Sequence, residues 1–254
     1  MNPRHDSVRL SCVIPAYNEA ACLAATVAEW DAELARRTEE HEIIVVDDGS
    51  TDGTAALLAD LSARHSKLRV LTHERNLGYG AAILNGFAQA RCPLLFFTDA
   101  DGQYAPEDVG LLLDRIETAD LVVGYRVRRA DPPGRSLMSR GYNTLARWVL
   151  GTTLRDVNCA FKLVRSEALS RLHIASTGFS VNAELELRAR SAGMRIAETP
   201  VRHLPRRAGR STVRPFHVLR GFRDLARLRR HRHAPVASRR VDVISEPLHT
   251  KNCR

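Results

Sequence analysis

The chain has 254 residues, of which 44% are hydrophobic and 26% charged, and a net charge of +9. That length allows one large domain or two small ones, and the ordinary composition argues against a disordered or fibrous chain. Five cysteines, Cys12, Cys22, Cys92, Cys159 and Cys253, are never spaced as a CxxC pair, which argues against a disulfide framework or a structural zinc site and fits a reducing, cytoplasmic setting.

Charge is unevenly distributed. Between Arg202 and Arg240 thirteen arginines face one acid, Asp224, so this stretch carries +12 and the remainder −3. A local basic segment of this kind points to a polyanionic partner such as membrane lipid, phosphate or nucleic acid. The N-terminus has no apolar core behind a basic start, and no later stretch offers about 18 uncharged apolar residues, so neither export nor a membrane span is expected.

In chain order, apolar and β-branched runs predict strands at Arg9–Ile14, Glu42–Val46, Leu68–Leu71, Leu94–Phe97 and Leu121–Gly124. Helical apolar spacing predicts helices over Glu19–Glu39, Asp52–Ser66, Gly80–Ala90 and Pro106–Glu117. Strand and helix alternate, so the expected fold class is α/β, a mostly parallel sheet with helices on both faces. Beyond Arg128 the alternation weakens: a Pro-Gly loop at Ala130–Gly134, a helix over Ser136–Leu150, a loop and short strand over Asp156–Val164, a helix over Asn182–Ala192 and a strand over Ile196–Val201. From Pro215 to Arg232 the spacing predicts a helix with Val218, Leu219, Phe222, Leu225 and Ala226 on one stripe and Arg220, Arg223, Arg227 and Arg230 on another. The residues from His233 onward carry few large apolar groups and are expected to form a tail.

Ligands of such sheets bind outside the carboxyl ends of the strands, where loops and helix N-termini meet. Here those loops are polar: Pro15-Ala16-Tyr17-Asn18-Glu19, the DDGSTDGT stretch from Asp47, Asp99-Ala100-Asp101-Gly102-Gln103, and Gly124-Tyr125-Arg126. Two carboxylates one residue apart at the end of a buried strand need a compensating cation, and two carboxylates with an amide oxygen are hard ligands suited to Mg²⁺ or Mn²⁺. A helix-capping role for either aspartate is the alternative. The glycines of Arg75-Asn76-Leu77-Gly78-Tyr79-Gly80 do not make a dinucleotide fingerprint, since the third glycine is missing and the stretch follows the third strand.

Taken together, PAYNE, VVDDGSTDGT, RNLGYGAAI, DADGQ, GYR and DVNCAFKLVRSEAL, in this order across about Val8 to Arg214, resemble family 2 glycosyltransferases of the GT-A fold. The similarity is greatest to the dolichyl- or polyprenyl-phosphate mannosyltransferase branch. The resemblance implies a catalytic domain over 1–214, and spacing and composition add a basic amphipathic helix over 215–232 and a tail over 233–254. It implies that Pro15, Tyr17, Glu19, Val46 and Asp48 line the nucleoside pocket. Asp99, Ala100, Asp101 and Gln103 would flank the diphosphate, with Asp99, Asp101 and Gln103 as metal ligands. Arg126, after the fifth strand, corresponds to a sugar-nucleotide arginine, Arg135, Ser139 and Arg140 to acceptor-phosphate contacts, and Arg206 to an arginine that reaches back over the nucleotide. Thr212 departs from the family pattern, where a basic residue is expected.

The implied activity is an inverting transfer of a hexose, mannose or glucose, from GDP-mannose or UDP-glucose to a polyprenyl phosphate. Peripheral contact with the membrane, or a membrane-spanning partner, would accompany it. An acceptor that is already an anion needs no strong base, only cations to place it; Glu184 and Glu186 are the available carboxylates should a soluble hydroxyl be the acceptor. A nucleic acid is not an expected partner, because the arginine-rich stretch has little aromatic interleaving and no recognised motif.

Overall fold

The computed structural model describes residues 5–127, 130, 133–209 and 215–230. Its elements run β1 (His5–Ala16), α1 (Ala20–Arg37), β2 (Thr38–Asp47), α2 (Thr54–Arg64), β3 (Leu68–Thr72), α3 (Tyr79–Gln89) and β4 (Leu94–Thr98). After a 3-10 turn at Pro106–Asp108 come α4 (Val109–Ile116), β5 (Leu121–Val127), α5 (Pro133–Leu150), β6 (Phe161–Arg165), α6 (Ser166–Leu169), α7 (Val181–Ser191), β7 (Ile196–Arg202) and α8 (Pro215–Arg230).

The strands form one sheet in the order β3-β2-β1-β4-β6-β5-β7. β1 runs parallel to β2 and β4, β2 to β3, and β5 to β7, whereas β6 runs antiparallel to both β4 and β5. The mostly parallel α/β expectation therefore holds. Cys12, Val13, Ile14, Val45, Val46 and Phe96 are fully buried, as strands covered on both faces must be. Trp30 of α1 packs on Phe96 at 5.1 Å between ring centroids, and Phe96 meets Phe161 of β6 edge-on at 4.8 Å. These rings fasten the antiparallel strand to the parallel half of the sheet.

Two features of this topology place the site. The sheet grows outward from β1 in both directions, so the carboxyl ends of β1 and β4 flank a switch point. Because β6 is antiparallel, its first residue, Phe161, pairs with Thr98 at the end of β4, and the loop before β6 is delivered to the same rim.

Several boundaries differ from the sequence reading. Helix α1 stops at Arg37 instead of Glu39, because Thr38 to Glu40 already pair with β1, with Arg9 Nε donating to Glu40 at 2.6 Å. The segment expected as a helix over Pro106–Glu117 begins with the 3-10 turn. Arg126 lies within β5 and not after it, since pairing with β7 continues to Val127. Helix α8 packs against α5 and buries Leu225 and Leu228; Ala226, expected on the apolar stripe, is exposed, because the buried positions follow i to i+3 from Leu225. Ser180 Oγ donates to Asp224 on its side at 3.0 Å, while Arg223, Arg227, Arg229 and Arg230 are exposed. Thr212, the segment 233–254 and the side chains of Arg135, Val218, Leu219, Arg220 and Phe222 lie outside the described residues.

Candidate active site

The buried run of β4 ends at Thr98, and the chain turns through Asp99 to Gln103 at the rim. Gly102 takes φ 67°, a left-handed conformation that favours glycine. Thr26 of α1 donates its hydroxyl to Ala100 O at 3.0 Å, and Gln103 N donates to Asp101 Oδ1 at 3.1 Å. Leu204 N donates to Gln103 O at 2.7 Å, and Gln103 Nε2 donates back to Leu204 O at 3.1 Å. The acidic turn is thus held from both sides, and the Gln103 atom left for a cation is Oε1.

The two aspartates lie close enough to disturb each other. Burial, and then the charge of Asp101, push the Asp99 carboxyl up to about 7, against the opposing effects of the Tyr79 hydroxyl and Arg126. Tyr79 donates to Asp99 Oδ1 at 2.9 Å. A buried carboxylate raised in this way, with a second carboxylate beside it, would be stabilised in its ionised form by a nearby cation. No group of three or more His, Cys, Asp or Glu that could hold a metal forms among the described residues. The donor set, two carboxylates and an amide oxygen, still fits Mg²⁺ or Mn²⁺, because magnesium usually takes one or two carboxylates and completes its shell with phosphate and water.

Residues expected around the nucleoside gather at the ends of β1 and β2. Pro15 and Val46 are buried and Tyr17 and Glu19 half-buried. Val46 is fully buried in the core cluster. Asp48 is also buried: its carboxylate accepts from His73 Nδ1 at 2.7 Å, Leu77 N at 2.8 Å and Gly78 N at 2.9 Å. In this state Asp48 fixes the loop before α3. Arg206 joins the nucleoside side to the acidic turn, donating to Glu19 and, at 3.3 Å, to Asp101 Oδ2. Burial pushes the Glu19 carboxyl up, against the pull of Arg206.

Arg126 reaches the rim from β5 and makes a bidentate pair with Asp156, Nε to Oδ2 at 2.6 Å and Nη2 to Oδ1 at 2.9 Å. Both side chains are buried, at 9% and 8% exposure. Asn143 of α5 donates to the same carboxylate at 3.4 Å and accepts from Val157 N at 3.1 Å, which ties α5 to the loop before β6. Of the three acceptor candidates on α5, Ser139 is half-buried and Arg140 exposed.

The sequence reading assigned no role to Tyr79, Asp156, Asn182 or Lys162. Lys162 is wholly buried in β6 and donates to Val157 O at 3.1 Å, Cys159 O at 2.5 Å and Asn182 Oδ1 at 2.5 Å; burial lowers its pKa to about 8. Glu184, a candidate base, is 2% exposed and accepts from Ala175 N at 3.1 Å and Ser176 N at 2.8 Å. Glu186 is equally buried, 3.6 Å from Arg190. The Glu184 carboxylate is committed within the fold, whereas Glu186 Oε2 has no hydrogen-bond partner among the described residues and burial pushes that carboxyl up.

Residues 11–172 match the family described as Glycosyl transferase family 2. Polyprenol monophosphomannose synthase of Mycolicibacterium smegmatis is 32% identical over 218 residues, covering 81% of this chain and 81% of that protein. Undecaprenyl-phosphate mannosyltransferase of Micrococcus luteus is 30% identical over 217 residues, covering 81% of this chain and 88% of that protein. The fold is shared with glucosyl-3-phosphoglycerate synthase from Mycobacterium tuberculosis, whose crystal structure in complex with Mn²⁺, UDP and glucosyl-3-phosphoglycerate gives a TM-score of 0.65 at 22% identity, covering 88% of this chain and 79% of that one. With its α/β sheet and acidic rim, the chain belongs to glycosyltransferase family 2 and is a glycosyltransferase of the GT-A fold.

Proposed function

We propose that the protein transfers a hexose, mannose or glucose, from GDP-mannose or UDP-glucose to the phosphate of a polyprenyl phosphate, with Mg²⁺ or Mn²⁺ held by Asp99, Asp101 and Gln103. The observation that carries this reading is the Asp99–Asp101 pair at the switch point of the sheet, where burial and the Asp101 charge raise the Asp99 carboxyl. The names of the Mycolicibacterium and Micrococcus relatives support a polyprenyl-linked acceptor.

A bound divalent cation would supply Lewis-acid stabilisation of the negative charge that develops on the departing diphosphate. Arg126, oriented by Asp156, faces the same charge from β5. Arg206 holds Glu19 and Asp101 together and is placed to follow the diphosphate when it binds. The acceptor phosphate would be received at α5 by Arg135, Ser139 and Arg140. Because Glu184 is engaged by Ala175 N and Ser176 N and Glu186 is 2% exposed, out of reach of a bound substrate, an acceptor that is already an anion is favoured over a hydroxyl that must lose a proton.

The test is a transfer assay with labelled GDP-mannose and UDP-glucose in Mn²⁺ or Mg²⁺, offering polyprenyl phosphate in one arm and soluble sugar alcohols in the other. Product in the lipid phase is expected, and Asp101→Ala should lower turnover about 10²- to 10³-fold, the usual cost of one electrostatic partner of a transition state. Transfer to the soluble acceptor alone, or an Asp101→Ala enzyme that turns over normally in saturating metal, would refute the assignment.

A further inference from the structure

A chain of four side chains links the interior of the sheet to the acidic turn. Lys162 Nζ donates to Asn182 Oδ1 at 2.5 Å, the Asn182 side chain acts on the Tyr79 hydroxyl and pulls its pKa down against burial, and that hydroxyl donates to Asp99 Oδ1 at 2.9 Å. The members come from β6, α7, α3 and the end of β4. Their direction follows from their chemistry. An ammonium can only donate, so the oxygen of the Asn182 amide must face Lys162 and its NH₂ must face the tyrosine. The tyrosine oxygen then accepts from Asn182, and its single proton points at Asp99.

Lys162 cannot reorient easily, because its other two donors are taken by Val157 O at 3.1 Å and Cys159 O at 2.5 Å. Tyr79 is equally constrained. Its ring stacks on Phe179 with centroids 5.1 Å apart, and the next residues, Gly80 and Ala81, donate their N–H groups to Thr177 O at 2.7 and 3.1 Å. Rigid supports of this kind matter most at metal ligands, where an outer partner fixes which carboxylate oxygen is turned to the metal.

From this geometry we infer that Lys162, Asn182 and Tyr79 form a directional hydrogen-bond relay that positions Asp99, holding one carboxylate oxygen so that the other is presented to the divalent cation. They are positioning residues: only Asp99 would touch the metal. The inference rests on the metal reading proposed above.

The experiment measures Mn²⁺ affinity by calorimetry in the presence of nucleoside diphosphate, with no turnover involved. The variants are Tyr79→Phe, Asn182→Asp and the double variant, with Asp101→Ala as the test of the metal site itself. Asn182→Asp is nearly isosteric and keeps an acceptor for Lys162, so the buried lysine stays paired and the fold survives, as circular dichroism would verify. A carboxylate at that position cannot donate, so the tyrosine proton is drawn away from Asp99. Each single substitution should weaken Mn²⁺ about tenfold, the lower end of the range for outer partners of metal ligands, and the double variant should lose no more than either single one. Wild-type affinity in Asn182→Asp, or losses that multiply to about 100-fold in the double variant, would overturn the relay while Asp101→Ala still abolishes binding. A wild-type protein that takes up no Mn²⁺ would overturn the relay and the metal reading together.

Discussion

At Asp99, burial and the neighbouring Asp101 raise the carboxyl from the ordinary 3.8 to about 7, so the metal-free protein holds a proton there that the unfolded chain releases near pH 4. The sign follows directly: this proton contributes stability that is fully present below about pH 4 and lost as the pH rises through about 7. A divalent cation replaces the proton, so it should raise the melting temperature strongly at pH 8 and little at pH 5.5. Mn²⁺ affinity should fall about tenfold per pH unit below 7, as one proton competes with one ion; calorimetry across that range checks it, and an affinity independent of pH would remove Asp99 from the ligand set. The acidic turn was legible in the sequence because its signal is local, an apolar strand followed at once by Asp99 and Asp101. Asp156, Asn182, Lys162 and Tyr79 were not, because each acquires its partner from a segment remote in sequence: Arg126 and Asp156 are 30 residues apart, and Lys162 and Asn182 are 20 apart. Arg206 was legible through its motif, but its bridge from Glu19 to Asp101 was not.

At the scale of elements, the N-terminus of α3 decides whether Tyr79 can reach Asp99. A Cβ on Gly80 would lie 2.4 Å from Ser176 O and 2.8 Å from Gly178 O, both backbone atoms that cannot step aside cheaply. Gly80→Ala should therefore push α3 off the 176–178 segment and cost about 1–3 kcal/mol, as overpacking does. Gly141 in α5 is the contrasting case, with nothing within 4 Å of its added Cβ. Gly141→Ala should stabilise by about 0.5–1 kcal/mol through helix propensity. Urea midpoints of the two variants, shifted in opposite directions, are the expected result. The parallel strands were readable from continuous apolar runs, and β1 to β5 all fall where those runs lie. The direction of β6 was not, since Phe161 to Arg165 reads as a short apolar strand whichever way it enters the sheet; the ring contacts to Phe96 and Trp30 that hold it are tertiary. Likewise Thr38 and Glu40 continue a helical pattern in sequence, and only their pairing with β1 makes them strand.

For the whole molecule, the open question is how a chain that has no helix among its described residues long and apolar enough to cross a membrane would meet a lipid-linked acceptor. Helix α8 keeps Leu225 and Leu228 in the common core, so deleting it would unravel part of that core and would not test docking cleanly. Its outward face carries Arg223, Arg227, Arg229 and Arg230. Beside it, on α5, Trp148 is 76% exposed, with the Arg229 guanidinium 5.7 Å from its ring centroid. An exposed tryptophan next to a row of cations suits the boundary between lipid headgroups and acyl chains, and each arginine near an anionic leaflet contributes about 1 kcal/mol. The expected outcome is that the full chain sediments with vesicles containing anionic lipid at low salt and is released at high salt, where the Debye length shrinks to a few ångströms. Replacing Arg223, Arg227 and Arg230 together by Glu should leave the buried leucines and the melting temperature nearly unchanged, because all three are exposed, while abolishing sedimentation. Trp148→Ala should weaken binding at every salt concentration, because its contribution is apolar and unscreened. A full chain that stays in the supernatant at low salt would exclude direct docking through this face and leave recruitment by a membrane-spanning partner, or a soluble acceptor, as the better account.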